Sequence, residues 1–578
     1  MNTDLLTIGI AGLIGASGNL IIADGGKSEY RIVISHEASF SEKHAADELQ
    51  KFLNQISGAT LPIVTDETPI SGNEIILGDN AHLRQLKTEI DFEKLGKEGF
   101  TIRTVGPHLV IAGGKLRGTM YGVYTFLEEH LGCRWFSSKV SHIPKRNRIE
   151  IGPIDDTQIP ILEYREPFYT DAFDADWAAR NKMNSNTARL DEQRGGKVAY
   201  SHFVHTFYPL LPPEQYFAEH PEYYSEIDGK RIVERGQLCL TNPDVVQLVT
   251  EQVKQWIRES PQATIFSVSQ NDWHGWCQCK SCREIDEREE SHSGTMLHFV
   301  NQIAEGIESE YPDVAIDTLA YQYTRKPPKY VRPRPNVIVR LCSIECCFSH
   351  PLETCEMNAS FKADIEGWSK VSNRLYIWDY VTNFSHYIQP FPNFDVLKPN
   401  IQFFVNHGVK GIFEEGNYSG GGGGELAELR AYVMAKVLWN PDYDAQKAMN
   451  EFLVGYYGKA FAPIREYIDM LHNKVREDNI HMTIRARPDS AFLAPEIIQR
   501  ANELFDEAER LADDDDVLHR VYVARLPIQY VQISTLPKDD SKRQKLIDRF
   551  FKVSDKAGIT NISEGRSMQQ YREMIKGK

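Results

Sequence analysis

Between residues 160 and 440 the chain repeats one pattern, a short buried apolar run followed by a helical stretch, and this alternation constrains the fold more than any other feature. The runs are 161–168, 199–207, 237–240, 265–268, 314–321, 337–341, 375–378 and 411–413. Helical spacing separates several of them, at 243–259, 296–310, 359–371 and 399–407, the last with Pro399 at its first position. Eight strands alternating with helices is the count of a closed parallel (β/α)8 barrel, an α/β fold of the TIM type. A doubly wound open sheet alternates similarly, and the first crossover, 169–198, is the least regular.

A barrel of ~250 residues leaves room for flanking units in a chain of 578. Residues 25–152 read as a small α/β domain. A β-rich run at 30–35 precedes a helix over 41–56, with Ser41 placed to cap it. Strands at 100–105 and 108–112 pair across the Gly106-Pro107 turn. Pro153 and Pro160 bracket a linker. Residues 441–578 read as a helical C-terminal domain, since 445–457, 464–475, 495–512 and 517–535 are all periodic. Residues 1–24 read as a degenerate leader or an extension. Their apolar stretch, 5–14, is like a signal core, but Asp4 precedes it and the first lysine is Lys27, so the basic segment of a signal peptide is missing. No other stretch approaches the ~20 apolar residues of a membrane span.

A formal net charge of −16 argues against nucleic acid and against insertion into an anionic membrane. Aromatic residues make up 11% of the chain, and rings in expected loops, such as Tyr321, Tyr323, Trp378, Tyr380 and Tyr418, suit stacking on sugar faces as well as loop packing. Oligomeric state has no signature in the sequence.

In a parallel barrel the residues just past each strand converge on one face. Here those residues are His202 and His205, Thr241-Asn242, Asn271-Asp272, Tyr321, Ser343 and Glu345, Asp379 and Asn383, and Glu414-Glu415 with Asn417. Five acids at one mouth exceed what a structural barrel needs, although each can also be a salt bridge to a neighbouring loop. Glycosidic cleavage needs one protonated carboxyl and a second group on the other face. Asp272 and Glu414 come from the fourth and eighth strands, on opposite sides of an eight-stranded ring. Asp272 beside Trp273 and Trp276 is the expected general acid, kept protonated by apolar rings. Glu414 is the expected nucleophile, base or stabiliser, with Glu415, Glu345 and Asp379 as substitutes in that order. Neighbours on a strand point opposite ways, so only one of Glu414 and Glu415 should enter the site unless the strand has already ended. Asn271, His202, His205, Tyr321, Glu345, Trp378, Asp379, Glu415 and Asn417 are the expected substrate-binding set.

No cofactor is required for this chemistry. Cys277, Cys279 and Cys282 are a candidate structural zinc set, with His274, Cys346 or His350 as the fourth ligand. Disulfides to the second cysteine cluster, Cys342, Cys346 and Cys347, and free thiols packed as small apolar groups are the competing readings. His202 and His205 can also be read as metal ligands. The glycine run 420–424 reads as a flexible loop near the mouth, a candidate lid.

The stretch 45–49 and the later Arg117-Gly118-Thr119-Met120-Tyr121-Gly122 resemble the accessory domain of family 67 α-glucuronidases and family 20 β-hexosaminidases. Cys239-Leu240-Thr241-Asn242-Pro243, Ser269-Gln270-Asn271-Asp272 and Phe413-Glu414-Glu415-Gly416-Asn417 resemble a bacterial barrel family of unknown function related to glycoside hydrolase family 163. The resemblance covers roughly residues 25 to 460 and implies a glycan substrate, a secreted or periplasmic setting, and an activity that is β-N-acetylglucosaminidase-like or α-glucuronidase-like. Family 20 carries adjacent Asp-Glu after strand four, where the first residue orients the acetamido group and the second is the acid. That pair reads Asn271-Asp272 here, so Asp272 keeps the acid role and Asn271 lacks the charge. A glycan-binding barrel without catalysis and a metal-dependent hydrolase are the rival classes.

Overall fold

A computed structural model describes residues 18–576, so the apolar stretch 5–14 lies outside the described residues. Two compact units form. The first comprises the described residues through Arg134 with His142–Pro160 and Asp191–Gly196; the second comprises Trp135–Ser141, Ile161–Leu190 and everything from Lys197 onward.

In the first unit a six-stranded mixed sheet runs in the order Asp155–Gln158, Phe100–Val105, His108–Gly113, Glu74–Leu77, Arg31–Ile34, Ile63–Thr65. The helix Phe40–Ser57 starts two residues before the point where a Ser41 cap would have placed it. Ser39 is the cap: its Oγ accepts from the Glu42 N–H at 3.2 Å, and Glu42 Oε2 accepts from the Ser39 N–H at 2.8 Å, a reciprocal box that leaves Ser41 inside the helix.

The second unit is built on seven parallel strands: β1 (Tyr164–Tyr169), β2 (Tyr200–Ser201), β3 (Ile265–Ser267), β4 (Ala315–Ala320), β5 (Val337–Cys342), β6 (Leu375–Tyr380) and β7 (Gly411–Asn417). Their order is β1-β7-β6-β5-β4-β3-β2, with every neighbouring pair parallel. The sheet curls until its two edges face each other. One side chain from each strand, Tyr164, Tyr200, Ile265, Ala315, Ile338, Tyr376 and Phe413, meets in a single interior cluster, and the rings of Tyr164 on β1 and Tyr200 on β2 lie 5.7 Å apart. The edges share no ladder, so the expected closed ring of eight is a curled half-barrel of seven.

The missing strand is 237–240. Its backbone pairs with 223–225 instead, through Ser225 N–H to Gln237 O at 2.9 Å and Cys239 N–H to Tyr223 O at 2.8 Å. The Gln237 side chain is spent on the Asn271 and Trp273 carbonyls. A short apolar run alone does not separate a strand from such a buried loop.

Helices cover the outer face: α1 (Pro243–Glu259), α2 (Lys280–Glu289), α3 (His292–Glu308), α4 (Ala359–Val371) and α5 (Phe394–Asn406). Asn242 caps α1 by accepting from Asp244 N–H at 2.9 Å. Pro399 lies inside α5 rather than opening it, because the helix begins five residues earlier, where the Phe394 N–H donates to His472 Nε2 at 2.9 Å. Six further helices follow, α6 (Ala427–Trp439), α7 (Ala445–Tyr457), α8 (Phe461–Glu477), α9 (Pro495–Leu511), α10 (Asp515–Thr535) and α11 (Ser541–Ala557), and then a hairpin of Asn561–Ser563 with Arg566–Ser567. No described helix is long and apolar enough to cross a membrane.

Candidate functional site

Strand alternation decides what reaches the barrel interior. The cluster residues Ala315, Ile338, Tyr376 and Phe413 face inward. Two residues further along, so do Asp317, Arg340, Trp378 and Glu415, and two further again Leu319, Cys342 and Tyr380. The middle layer is charged and closed. Arg340 and Asp317 are both fully buried and paired, the Arg340 guanidinium lies 4.2 Å from the Phe203 ring centroid and 5.1 Å from that of Trp378, and its Nη2 donates to Phe203 O at 2.7 Å. This pair forms a floor.

Above it opens a cavity of about 330 Å³ lined by His205, Asp272, Tyr321, Trp378, Glu415, Arg485 and Glu564, among others. Burial pushes the Glu415 carboxyl up to about 8, against the pull of Trp378, whose Nε1–H donates to Glu415 Oε2 at 2.7 Å, while the charges of Glu564 and Asp272 add to the rise. Asp272 is the opposite case: its side chain is 59% exposed. Tyr321 Oη donates to Asp272 Oδ1 at 3.0 Å and itself accepts from Gln322 Nε2 at 2.8 Å. His205 Nδ1–H donates to Gln270 O at 2.7 Å, which leaves Nε2 turned to Asp272, 3.9 Å from Oδ1. Because three strands lie between β3 and β7 in the curled sheet, a carboxylate past the end of one and a carboxyl on the other address a bound group from different sides. Glu564 is also pushed up by burial and by Asp272, and Arg485 acts against that rise.

The structure therefore unites Asp272, His205, Tyr321, Trp378 and Glu415, and sends the other expected residues elsewhere. Glu414, expected at the mouth, does not line it. It alternates with Phe413 and Glu415 to the outer face, fully buried beside its register partner Asp379, with Oε2 lacking any hydrogen bond. Burial and then the Asp379 charge hold its carboxyl well above the ordinary range. Burial pushes Asp379 up to about 6 although Ser343 Oγ donates to it. Glu345 is held by Arg325 at 2.9 Å. Asn417 Oδ1 accepts from the Ser419 N–H at 3.1 Å. Asn271 is absorbed by Gly236 O at 3.1 Å and the Tyr208 N–H at 3.4 Å. His202 stacks on Trp256, 3.6 Å between centroids, away from the mouth. The tryptophans do not wall Asp272: Trp273 Nε1–H donates to Gly236 O at 2.7 Å, and the Trp276 ring lies 4.3 Å from His292 and 5.3 Å from Tyr323. The glycine run is packed, since a Cβ on Gly421 would meet Ala557 O at 2.0 Å, so it is no free lid.

A larger cavity, about 560 Å³, is lined by Trp276, Asp286, Glu287, Glu290 and His292, and two of its three acids are committed. Asp286 pairs with His292 at 2.6 Å and Glu290 with Lys329 at 2.6 Å. The mouth cavity, at the strand ends, joins an exposed carboxylate to a proton-retaining one.

Beside the mouth, Cys277, Cys279 and Cys282 are joined by Cys239, not by His274, Cys346 or His350, and the four sulfurs lie within 4.8 Å of one another. All nine cysteines are free, so no disulfide links the two cysteine loops. Cys239 and Cys279 sulfurs are 3.7 Å apart, far beyond the ~2.05 Å of a disulfide. Donors face the thiols: the Glu226 N–H at 3.3 Å and Arg231 Nη1 at 3.6 Å address Cys277, and Thr241 Oγ1 lies 3.2 Å from Cys282.

Residues 135–469, more than half of the chain, match the family described as domain of unknown function (DUF4838). The chain belongs to that family. Every strand of the curled sheet lies within the DUF4838 match, and so do Asp272 and Glu415. Residues 25–126 match the family described as glycosyl hydrolase family 67 N-terminus. No curated protein matches the chain in sequence. Among solved structures, the family GH115 4-O-methyl-α-glucuronidase BtGH115A, with specificity for decorated arabinogalactans, superposes with a TM-score of 0.60 at 13% identity, over 93% of this chain and 77% of that one. A family 89 glycoside hydrolase from Clostridium perfringens superposes with a TM-score of 0.50 at 11% identity, over 89% and 65%. This DUF4838 chain thus has the fold of glycoside hydrolases.

Arg485 and Glu564 had no signal in the sequence. They come from a loop after α8 and from the terminal hairpin, far along the chain from any barrel strand.

Proposed function

We propose that this chain is a glycoside hydrolase in which Glu415 is the general acid and Asp272 the partner carboxylate. The observation that carries the reading is the Glu415 carboxyl, buried in the mouth cavity and pushed up to about 8, which therefore still holds its proton at neutral pH. Glycosidic cleavage asks for a carboxyl that donates to the leaving oxygen and a carboxylate that acts on the anomeric carbon, directly or through water. Glu415 supplies the proton, and the Trp378 bond sets which oxygen bears it. Asp272, exposed and oriented by Tyr321, supplies the second group. Screening the protein against aryl glycosides and N-glycans tests this reading: wild type releases sugar from at least one, and Asp272→Asn abolishes release while keeping the melting temperature. Tight binding of a glycan with no product on prolonged incubation contradicts it and favours a binding barrel.

Of the two sugar classes implied by the resemblances, a uronic acid fits the mouth better. Arg485 brings to the cavity a guanidinium that makes no ion pair among the described residues, the group suited to a carboxylate. Asn271, where an acetamido group would be oriented, is instead spent on backbone groups. Faster turnover of aryl glucuronides than of aryl N-acetylglucosaminides is expected; the reverse order points to the family 163 type of activity.

The reaction itself needs no metal. The four thiols of Cys239, Cys277, Cys279 and Cys282 are a structural zinc site in this reading: tetrahedral zinc with ~2.3 Å bonds to sulfur has sulfur–sulfur edges of about 3.8 Å, and the Cys239–Cys279 separation is 3.7 Å. The surrounding N–H and hydroxyl donors suit thiolates.

A further inference from the structure

We propose that Cys347, His350, Cys355 and His481 form a second, Cys2His2 zinc site that clamps the loop after β5 to the segment after α8. One ligand atom from each of the four lies within 4.8 Å of all the others. His481 Nδ1 is 3.3 Å from Cys347 Sγ and 3.6 Å from Cys355 Sγ, and His350 Nδ1 is 3.5 Å from Cys347 Sγ. Tetrahedral zinc with ~2.3 Å bonds to sulfur and ~2.05 Å bonds to nitrogen has nitrogen–sulfur edges of about 3.6 Å. The measured separations are those edges. Cys347 and Cys355 are both free thiols.

The backbone around the cluster is fixed in advance. Asn358 accepts from the Cys347 N–H at 2.7 Å and donates to the Cys347 carbonyl at 2.9 Å. Ser349 Oγ donates to Ile480 O at 2.7 Å and accepts from the Met482 N–H at 3.0 Å, while Phe348 N–H donates to Met482 O at 2.8 Å. A second observation comes from His350, whose buried Nε2 has no hydrogen-bond partner. The ring is therefore held by what its Nδ1 faces, Cys347 Sγ and Ser349 Oγ. Thiols are weak donors and weak acceptors, and a divalent ion at the shared centre gives all four groups a strong partner.

Four protein ligands leave no open position, so the role is structural. Its consequence reaches the mouth, because Ile344 lies three residues before Cys347, and Ile484 and Arg485 follow His481 by three and four; all three line the cavity. The clamp fixes the segment that carries Arg485, whatever reaction the cavity performs.

The test counts zinc per full-length chain by native mass spectrometry after purification under reducing conditions. His481→Ala, which removes an exposed ligand and opens no core cavity, is expected to carry one zinc fewer than wild type, as is Cys355→Ser. Cys282→Ser, at the other cluster, is expected to leave this ion in place. Equal zinc in wild type and His481→Ala, or a Cys347–Cys355 disulfide in the wild-type mass, overturns the proposal. Zinc-edge X-ray absorption on the wild type is independent of whether a variant folds: an imidazole contribution supports the site, and an all-sulfur shell or no zinc at all overturns it.

Discussion

At the scale of single residues, one step along a strand separates an acid that faces the cavity from one that does not. Glu415 meets the cavity, the indole of Trp378 and the field of Asp272, whereas Glu414 meets Asp379 in a sealed layer. The Trp378 hydrogen bond favours the Glu415 carboxylate, so Trp378→Phe raises the acid's pKa further. The alkaline limb of kcat/KM, expected near 8 in wild type, then moves upward by about one to two pH units, since a bond to a charged group is worth ~1.5–3 kcal/mol. A limb that stays put or moves down contradicts the assignment. Glu414 and Asp379 have folded-state values above their unfolded ones, so the stability they contribute is present at low pH and lost as pH rises through about 6, the Asp379 value, and beyond. Glu414→Gln removes one of these ionisations. Its melting temperature should therefore fall less than that of wild type between pH 6 and 9, as thermal scans across that range would show.

At the scale of elements, the sequence exposed what periodicity controls and hid what depends on partners distant in the chain. β4 to β7 are legible because each is an apolar run bounded by polar loops, and strand alternation already implied that only one of Glu414 and Glu415 enters the mouth. Which one enters depends on where β7 begins relative to its neighbours, and the run itself does not encode that. Segment 237–240 looked like a strand because Leu238, Cys239 and Leu240 are apolar, yet its real partners are a loop and three other cysteines. The same misreading hid Cys239 as the fourth thiol. Arg340 and Asp317 were invisible because a buried ion pair between two strands leaves no local pattern. Asp317→Ala leaves Arg340 buried and unpaired, which should cost about 3–5 kcal/mol; denaturant titration would register this as a lower midpoint, and an unchanged midpoint would mean that water or another group solvates the guanidinium.

At the scale of the whole molecule, the mouth of the DUF4838 barrel is assembled from strands, from loops joined by sulfur and imidazole groups, and from the C-terminal hairpin that brings Glu564. Structural zinc contributes apparent binding energies of ~10–16 kcal/mol, as large as the net stability of a domain. Stripping the protein with a strong chelator should therefore lower Tm sharply, while adding zinc to untreated protein should leave kcat unchanged, because the proposed chemistry runs on carboxyl groups. Activation by added zinc would favour a metal-dependent hydrolase. The most direct test of the central claim is the rate of sugar release by Glu415→Gln and Glu414→Gln measured side by side on the best substrate of the panel. Glu415→Gln is expected to lose about 10²–10⁴-fold with folding intact and Glu414→Gln to stay within about twofold of wild type; the reverse order, or equal losses in both, would contradict the Glu415 assignment.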